Sequence, residues 1–207
     1  MFPSAKANVP YAACFFALSG SGRKDRELTR PVLNNKHLPP EAMSADGYIV
    51  KQDCFKDFEY RTMPASGNGC GFIACYNLRH FLGHDVGFNE VRMELNSMLP
   101  RFRGPTYMRT MRKYLNCHVR NYREYHGKRE CLLHAKTSSA GIFRYYEEKI
   151  PHFVTFIRTE GGRFRFFNVN DGLEDFESDM DEFGRKHMVF GPVSLLCVTT
   201  KKDREAI

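Results

Sequence analysis

The stretch "GNGCGFIACYNLRHFLG", Gly67 to Gly83, constrains this chain more than any other. Between residues 71 and 82, Phe72, Ile73, Ala74, Cys75, Tyr76, Leu78, Phe81 and Leu82 follow one another so closely that a helix formed there keeps little surface for water. Such a helix belongs in the centre of a domain, and other elements must enclose it. A chain of 207 residues, 42% hydrophobic and 27% charged, can supply one sizeable core, and a single globular domain is expected. Those fractions also exclude the low-apolar, high-charge signature of disorder.

The rest of the chain supplies candidate walls. Asn89 is a cap for a helix with Val91, Leu95 and Met98 on one face, ending at Pro100. Gly104-Pro105 opens another, with Met108, Met111 and Leu115 opposite Arg109, Arg112 and Lys113. Val119 to Tyr125 alternates weakly, as a strand does. Thr137, Ser138 and Ser139 offer caps for a helix bearing Ile142, Phe143 and Tyr146. The period then changes. "HFVTFIRTEGGRFRFFNVNDG" predicts a hairpin turning at Glu160, Gly161 and Gly162, followed by an acidic helix through Phe176, Met180 and Phe183 and a last strand, "VSLLCVTT". Helices first and strands second indicate an α+β domain. Residues 19–47, rich in Ser, Gly, Pro and charge, read as an extended surface arm, which places an N-terminal extension over residues 1–50 and the folded domain over 51–207.

Charge and cysteine usage narrow the function classes. The net charge is +7, but the basic residues between Arg101 and Arg129 are scattered, with no consecutive block of the kind that makes a nucleic-acid arm. A solvated basic face, able at most to meet an acidic partner, is the expectation. Seven cysteines, an odd number without a C-x-x-C pair, fit reduced thiols and a cytoplasmic setting. The segment "NVPYAACFFALSGSG" has the outline of a secretory apolar core, the alternative to that setting, but lacks an A-x-A cleavage site. No run approaches eighteen apolar residues, so no membrane span is expected. No H-E-x-x-H, C-x-x-C or G-x-x-x-x-G-K pattern calls for a metal or a phosphate-bearing cofactor, and none is expected.

Cys70 sits between two glycines at the positive end of the apolar helix. The unpaired N–H groups of a first helical turn and the macrodipole favour negative charge there, and a thiolate so placed is a working nucleophile. Without a partner, however, Cys70 would read as a small buried residue in a glycine turn, since free cysteines are among the most buried residue types. Cys75, five residues into the apolar helix, reads as core. A base is needed as well. His80 and His84 lie at the far end of the same helix, beyond reach at about 1.5 Å per residue. His118, His126 and His134 lie in polar surroundings, and His37 and His187 look like surface positions. His152 differs, because it opens the strand "HFVTFI", where a ring at the strand end can enter a cleft. The hairpin brings Asn168, Asn170 or Asp171 back beside it, and a carboxamide or carboxylate there could fix the ring's tautomer. Asn170 and Asp171 read equally well as turn residues.

The string "NGCGFIACYNLRHFLG" resembles the active-site helix of papain-like cysteine peptidases, most closely the bacteriocin-processing (double-glycine) peptidases and their relatives, and "PHFVTFIRTEGGRFRFFNVNDG" resembles the same family's histidine hairpin. The likeness covers roughly residues 60–172. It implies a papain-like α+β fold, with a central buried helix packed on an antiparallel sheet. It also implies Cys70 as nucleophile, His152 as base and later acid, and Asn168 as the group orienting the ring, with Asp171 the alternative. The substrate would be a peptide or protein, cut through a thioester, with the Cys70 backbone N–H as half the oxyanion hole. The departure lies in the other half. The family's glutamine, six residues before the cysteine, is Pro64 here, and Gln52 lies eighteen residues back. Asn68 is therefore the amide expected to donate. Two readings follow: a thiol hydrolase, or a catalytically weak or inactive papain-shaped binding module that meets an acidic partner or nucleic acid through its basic helix.

Overall fold

The computed structural model describes residues 38–98, 106–169 and 175–200. The apolar run becomes a twelve-residue helix, and its surroundings follow from it. A short hairpin, β1 (Glu59–Tyr60) and β2 (Met63–Pro64), leads into one helical turn, α1 (Ala65–Asn68), and then into α2 (Cys70–Phe81). Every residue of α2 from Cys70 to Arg79 is buried. Two helices follow, α3 (Phe88–Met98) and α4 (Met108–His118), then β3 (Arg123–His126), α5 (Lys128–Ala135), β4 (Ala140–Glu147), β5 (Ile150–Arg158), β6 (Phe164–Phe167), β7 (Asp175–Ser178), α6 (Met180–His187) and β8 (Phe190–Val198). The fold is α+β, and its main sheet, in the order β3-β8-β4-β5-β6-β7, is antiparallel throughout.

The sheet is covered on both faces. Phe72, Ile73 and Ala74 of α2 share one core with Ile142, Phe153 and Leu196 of the sheet, and the Thr155 hydroxyl donates to the Ala74 carbonyl at 3.1 Å. The alternate residues Phe143, Tyr145, Val154, Phe156 and Leu195 pack with Cys131 and Ala135 of α5 and with Met180 and Phe183 of α6. Double coverage explains why Ala140–Glu147 is a strand where the sequence predicts a helix. A strand buried on both sides loses its alternation, and its apolar run looks the same as a buried helical segment. Phe176 likewise belongs to β7, and α6 begins after Asp179, whose carboxylate accepts from the Asp181 and Glu182 N–H groups. Helix α5 has no counterpart in the sequence reading. Asn89 lies inside α3 rather than capping it, its carboxamide oxygen accepting from Arg92 Nε at 3.2 Å. The proposed helix boundaries at Pro100 and Gly104-Pro105 lie outside the described residues.

The end of the predicted arm is packed. Leu38, Ala42, Tyr48, Ile49 and Val50 are buried, so residues 38–50 belong to the folded body. What draws them in is a polar group inside α2. Asn77, fully buried, accepts from the Ile49 N–H and donates to the Ile49 carbonyl, both at 2.8 Å, pairing in one stroke an amide inside the helix and a peptide outside it. A second tie is ionic. Arg165 on β6 bridges Asp46 and Asp175, each at 2.5 Å, and its hydrogen bond holds the Asp46 carboxyl down at about 2 against the pull of partial burial. The sequence predicts no role for either tie, because each partner lies far along the chain.

Replacing Asn77 by Leu leaves a buried N–H and a buried carbonyl of Ile49 unpaired, and a loss of about 2–4 kcal/mol is expected in chemical denaturation.

Candidate active site

The entry to α2 answers why Cys70 is flanked by glycines. The backbone at Gly69 is ordinary, with φ −79°, so the unusual dihedrals that a tight turn would demand are not the reason. Space is. A Cβ on Gly69 would lie 2.5 Å from the Ala65 carbonyl oxygen, and one on Gly71 would lie 2.3 Å from Thr106 Cβ. Thr106 in turn shares a 2.8 Å hydrogen bond with the buried Tyr60 hydroxyl. The two glycines therefore let α1 and the residues ahead of α4 close tightly against the helix tip. Cys70 is 5% exposed.

The partner arrives from the sheet. Strand β6 pairs with β5 only from Thr155 to Arg158, so the first half of β5 runs past the end of its neighbour, and His152 sits on that open stretch. The turn of the hairpin falls at Gly162, φ +74°, within the predicted segment. Cys70 and His152 come together. The thiol lies close enough for its charge and hydrogen-bonding capacity to act on the ring, and both residues are 5% exposed. The Nε2 atom of His152 donates to the main-chain carbonyl of Asn168 at 2.7 Å, which leaves Nδ1 for the sulfur. Burial works to lower the basicity of His152, but the hydrogen bond and charge of Cys70, the charge of Glu147 and the Asn168 carbonyl outweigh it, and the ring is held above its ordinary value.

Asn168, one of the three residues the hairpin could return there, is thus beside His152, but it meets the ring through its backbone and not its side chain. The residue adopts φ 61°, a left-handed conformation that asparagine tolerates better than most residues, and this turn at the end of β6 aims its carbonyl at the imidazole. The freed carboxamide makes a two-point contact with Gln52. Its Oδ1 accepts from the Gln52 N–H at 3.0 Å, and its Nδ2 donates to Gln52 Oε1 at 3.2 Å. Asp171 lies outside the described residues.

Gln52 is the functional candidate that the sequence reading passed over on chain distance. Its Nε2 donates to the Ser66 carbonyl, four residues ahead of Cys70, at 2.8 Å, so the carboxamide bridges the approach to the nucleophile and the hairpin that carries the base. That uses one of its two N–H bonds, and the other has no acceptor among the described residues. Asn68, the donor expected from its proximity in sequence, is 4% exposed and turned inward: Nδ2 donates to the Tyr60 carbonyl at 2.8 Å, and Oδ1 is buried without a partner among the described residues. As first residue of α2, Cys70 has a backbone N–H with no acceptor inside the helix.

The remaining titratable groups do not compete. Burial, with Arg79 nearby, lowers His118 to about 4, and His80 binds the Asp46 carbonyl at 2.8 Å. Burial pushes the Cys75 and Cys197 thiols up and takes Cys131 to about 12. Among the described residues no group of three or more His, Cys, Asp and Glu side chains could hold a metal ion, and no helix is long and apolar enough to cross a membrane. No protein-family model matches the chain, and none of the curated proteins does.

Because the folded value of His152 is raised, its contribution to stability is full below the ordinary value of about 6.5 and is lost as pH rises through the folded value. A proton NMR titration should place the His152 midpoint above that of a free imidazole. In Cys70→Ser the midpoint should fall, since burial then acts with less opposition.

Proposed function

We propose that the chain is a cysteine hydrolase of papain-like architecture, acting on a peptide or another amide through a thioester. The observation that carries this reading is the juxtaposition of Cys70 and His152 at the tip of a buried helix, with one ring nitrogen fixed by a carbonyl. In the proposed cycle Cys70 Sγ, its proton on His152 Nδ1, attacks the carbonyl carbon. The oxyanion is met by the Cys70 N–H and by the spare N–H of Gln52. The tetrahedral adduct collapses, the C–N bond breaks, and His152 passes its proton to the departing amine. Water, deprotonated by His152, then attacks the thioester, and Cys70 leaves as thiolate. Gln52 removes the difficulty raised by Pro64, because the donor comes from a different part of the chain.

The binding-module reading has one observation of its own. An open groove of about 850 Å³ beside α4 is lined by Tyr107, Arg109, Arg112 and Lys113, although Arg112 is committed to Glu124 at 2.7 Å. That groove accounts for neither the Cys70–His152 pair nor the Gln52 clip.

Alkylation by iodoacetamide separates the two readings. A hydrolase is expected to label at Cys70 faster than at the exposed Cys117, with the preference abolished in His152→Ala. Slow, uniform labelling would leave the binding module standing. On any peptide substrate that is turned over, Gln52→Ala should lower kcat about a hundred- to a thousandfold with little change in KM, the cost of one oxyanion donor.

A further inference from the structure

We infer that Glu147, held by Tyr145, is a positioning carboxylate that stabilises the imidazolium form of His152 from across the β4–β5 ladder. This rests on the hydrolase reading and adds to it a residue that neither the family motif nor chain proximity points to. The register places Tyr145 directly opposite His152 and Glu147 opposite Ile150, so Glu147 is the diagonal neighbour of His152. Residues two apart on a strand share a face, and diagonal pairs lie roughly 7–8 Å apart, within reach of a long side chain. Tyr145 sets the geometry. Its ring, fully buried, stands edge-on to the His152 ring at 6.0 Å and 80°, and its hydroxyl donates to Glu147 Oε1 at 3.0 Å. The carboxylate is thereby held by a group that also packs on the base.

His152 meets the Cys70 sulfur from α2, the Asn168 carbonyl from the end of β6, and Tyr145 and Glu147 from β4. Glu147 faces an open pocket of about 370 Å³ shared with Glu148 of the hairpin turn and with Lys186 and His187 of α6. Lys186 is a fixed cation among the described residues of that lining. The charge of Glu147 is among the causes that hold His152 above its ordinary value. The imidazolium is the acid that protonates the departing amine, so a carboxylate at this distance, by keeping the ring charged, extends the active range at its alkaline end.

The test is the pH profile of Cys70 alkylation by iodoacetate, whose carboxylate is drawn in only while the ring is charged, read by mass spectrometry, together with the His152 midpoint by NMR; neither needs a substrate. In Glu147→Gln both the alkaline limit of the fast phase and the His152 midpoint should move down by about half to one pH unit, with the acid side unmoved. Tyr145→Phe, which keeps the ring and frees the carboxylate, should shift them in the same direction by less. Glu147→Asp should restore part of the shift, and Glu148→Gln, at the exposed turn, should leave both unchanged. A fast phase in the wild-type protein with limits that ignore Glu147→Gln overturns this inference and leaves the hydrolase reading intact. A wild-type protein with no fast phase at all overturns the hydrolase reading, and this inference with it.

Discussion

A helix with no face left for water can show chemistry to the outside only at its ends. That constraint governs this fold. Ten consecutive residues of α2 are buried, so the sheet must lie beneath it, and other segments must close over it. Its one buried carboxamide, Asn77, has to be paired by protein, and the Ile49 peptide does so. At its N-terminus the backbone N–H groups have no helical acceptors, and the chain places a thiol there and clears the space around it with Gly69 and Gly71.

Two asparagines then do similar work at different depths. Asn77 and Asn168 each grip the same short segment, residues 49–52, by a donor and an acceptor together, Asn77 at the Ile49 backbone and Asn168 at the Gln52 N–H and side-chain oxygen. One grip fixes the segment to the central helix and the other fixes it to the hairpin. Gln52 is the point at which both constraints arrive, and its side chain reaches a third element at Ser66. A carboxamide held at both its oxygen and its nitrogen would lose little freedom on meeting a developing charge, which is the condition for electrostatic preorganisation.

Local patterns in the sequence went as far as local physics could carry them. The buried helix after Cys70, the two amphipathic helices around Val91 and Met111, the glycine turn near residue 161 and the final strand are all legible from periodicity and turn chemistry. Cys70, His152 and Asn168 could be singled out because each sits at the end of a recognisable element. What failed was of two kinds. Strand β4 was hidden because coverage on both faces erased its alternation. The roles of Asn168 and Gln52 were hidden because a side chain 116 residues away captured the carboxamide, leaving the backbone carbonyl to face the ring. Asn68 illustrates the same limit, since nearness in sequence to a sulfur says nothing about which way a side chain turns.

The segment around residues 46–52 is fastened to partners 28, 116 and 119 positions later in the chain. Pairings of such long span are costly in loop entropy and form late. A sulfur emerging on a half-made chain therefore has no base beside it. If the chain is the hydrolase proposed above, its chemistry stays silent until the β5–β6 hairpin has been made and has docked at the helix tip.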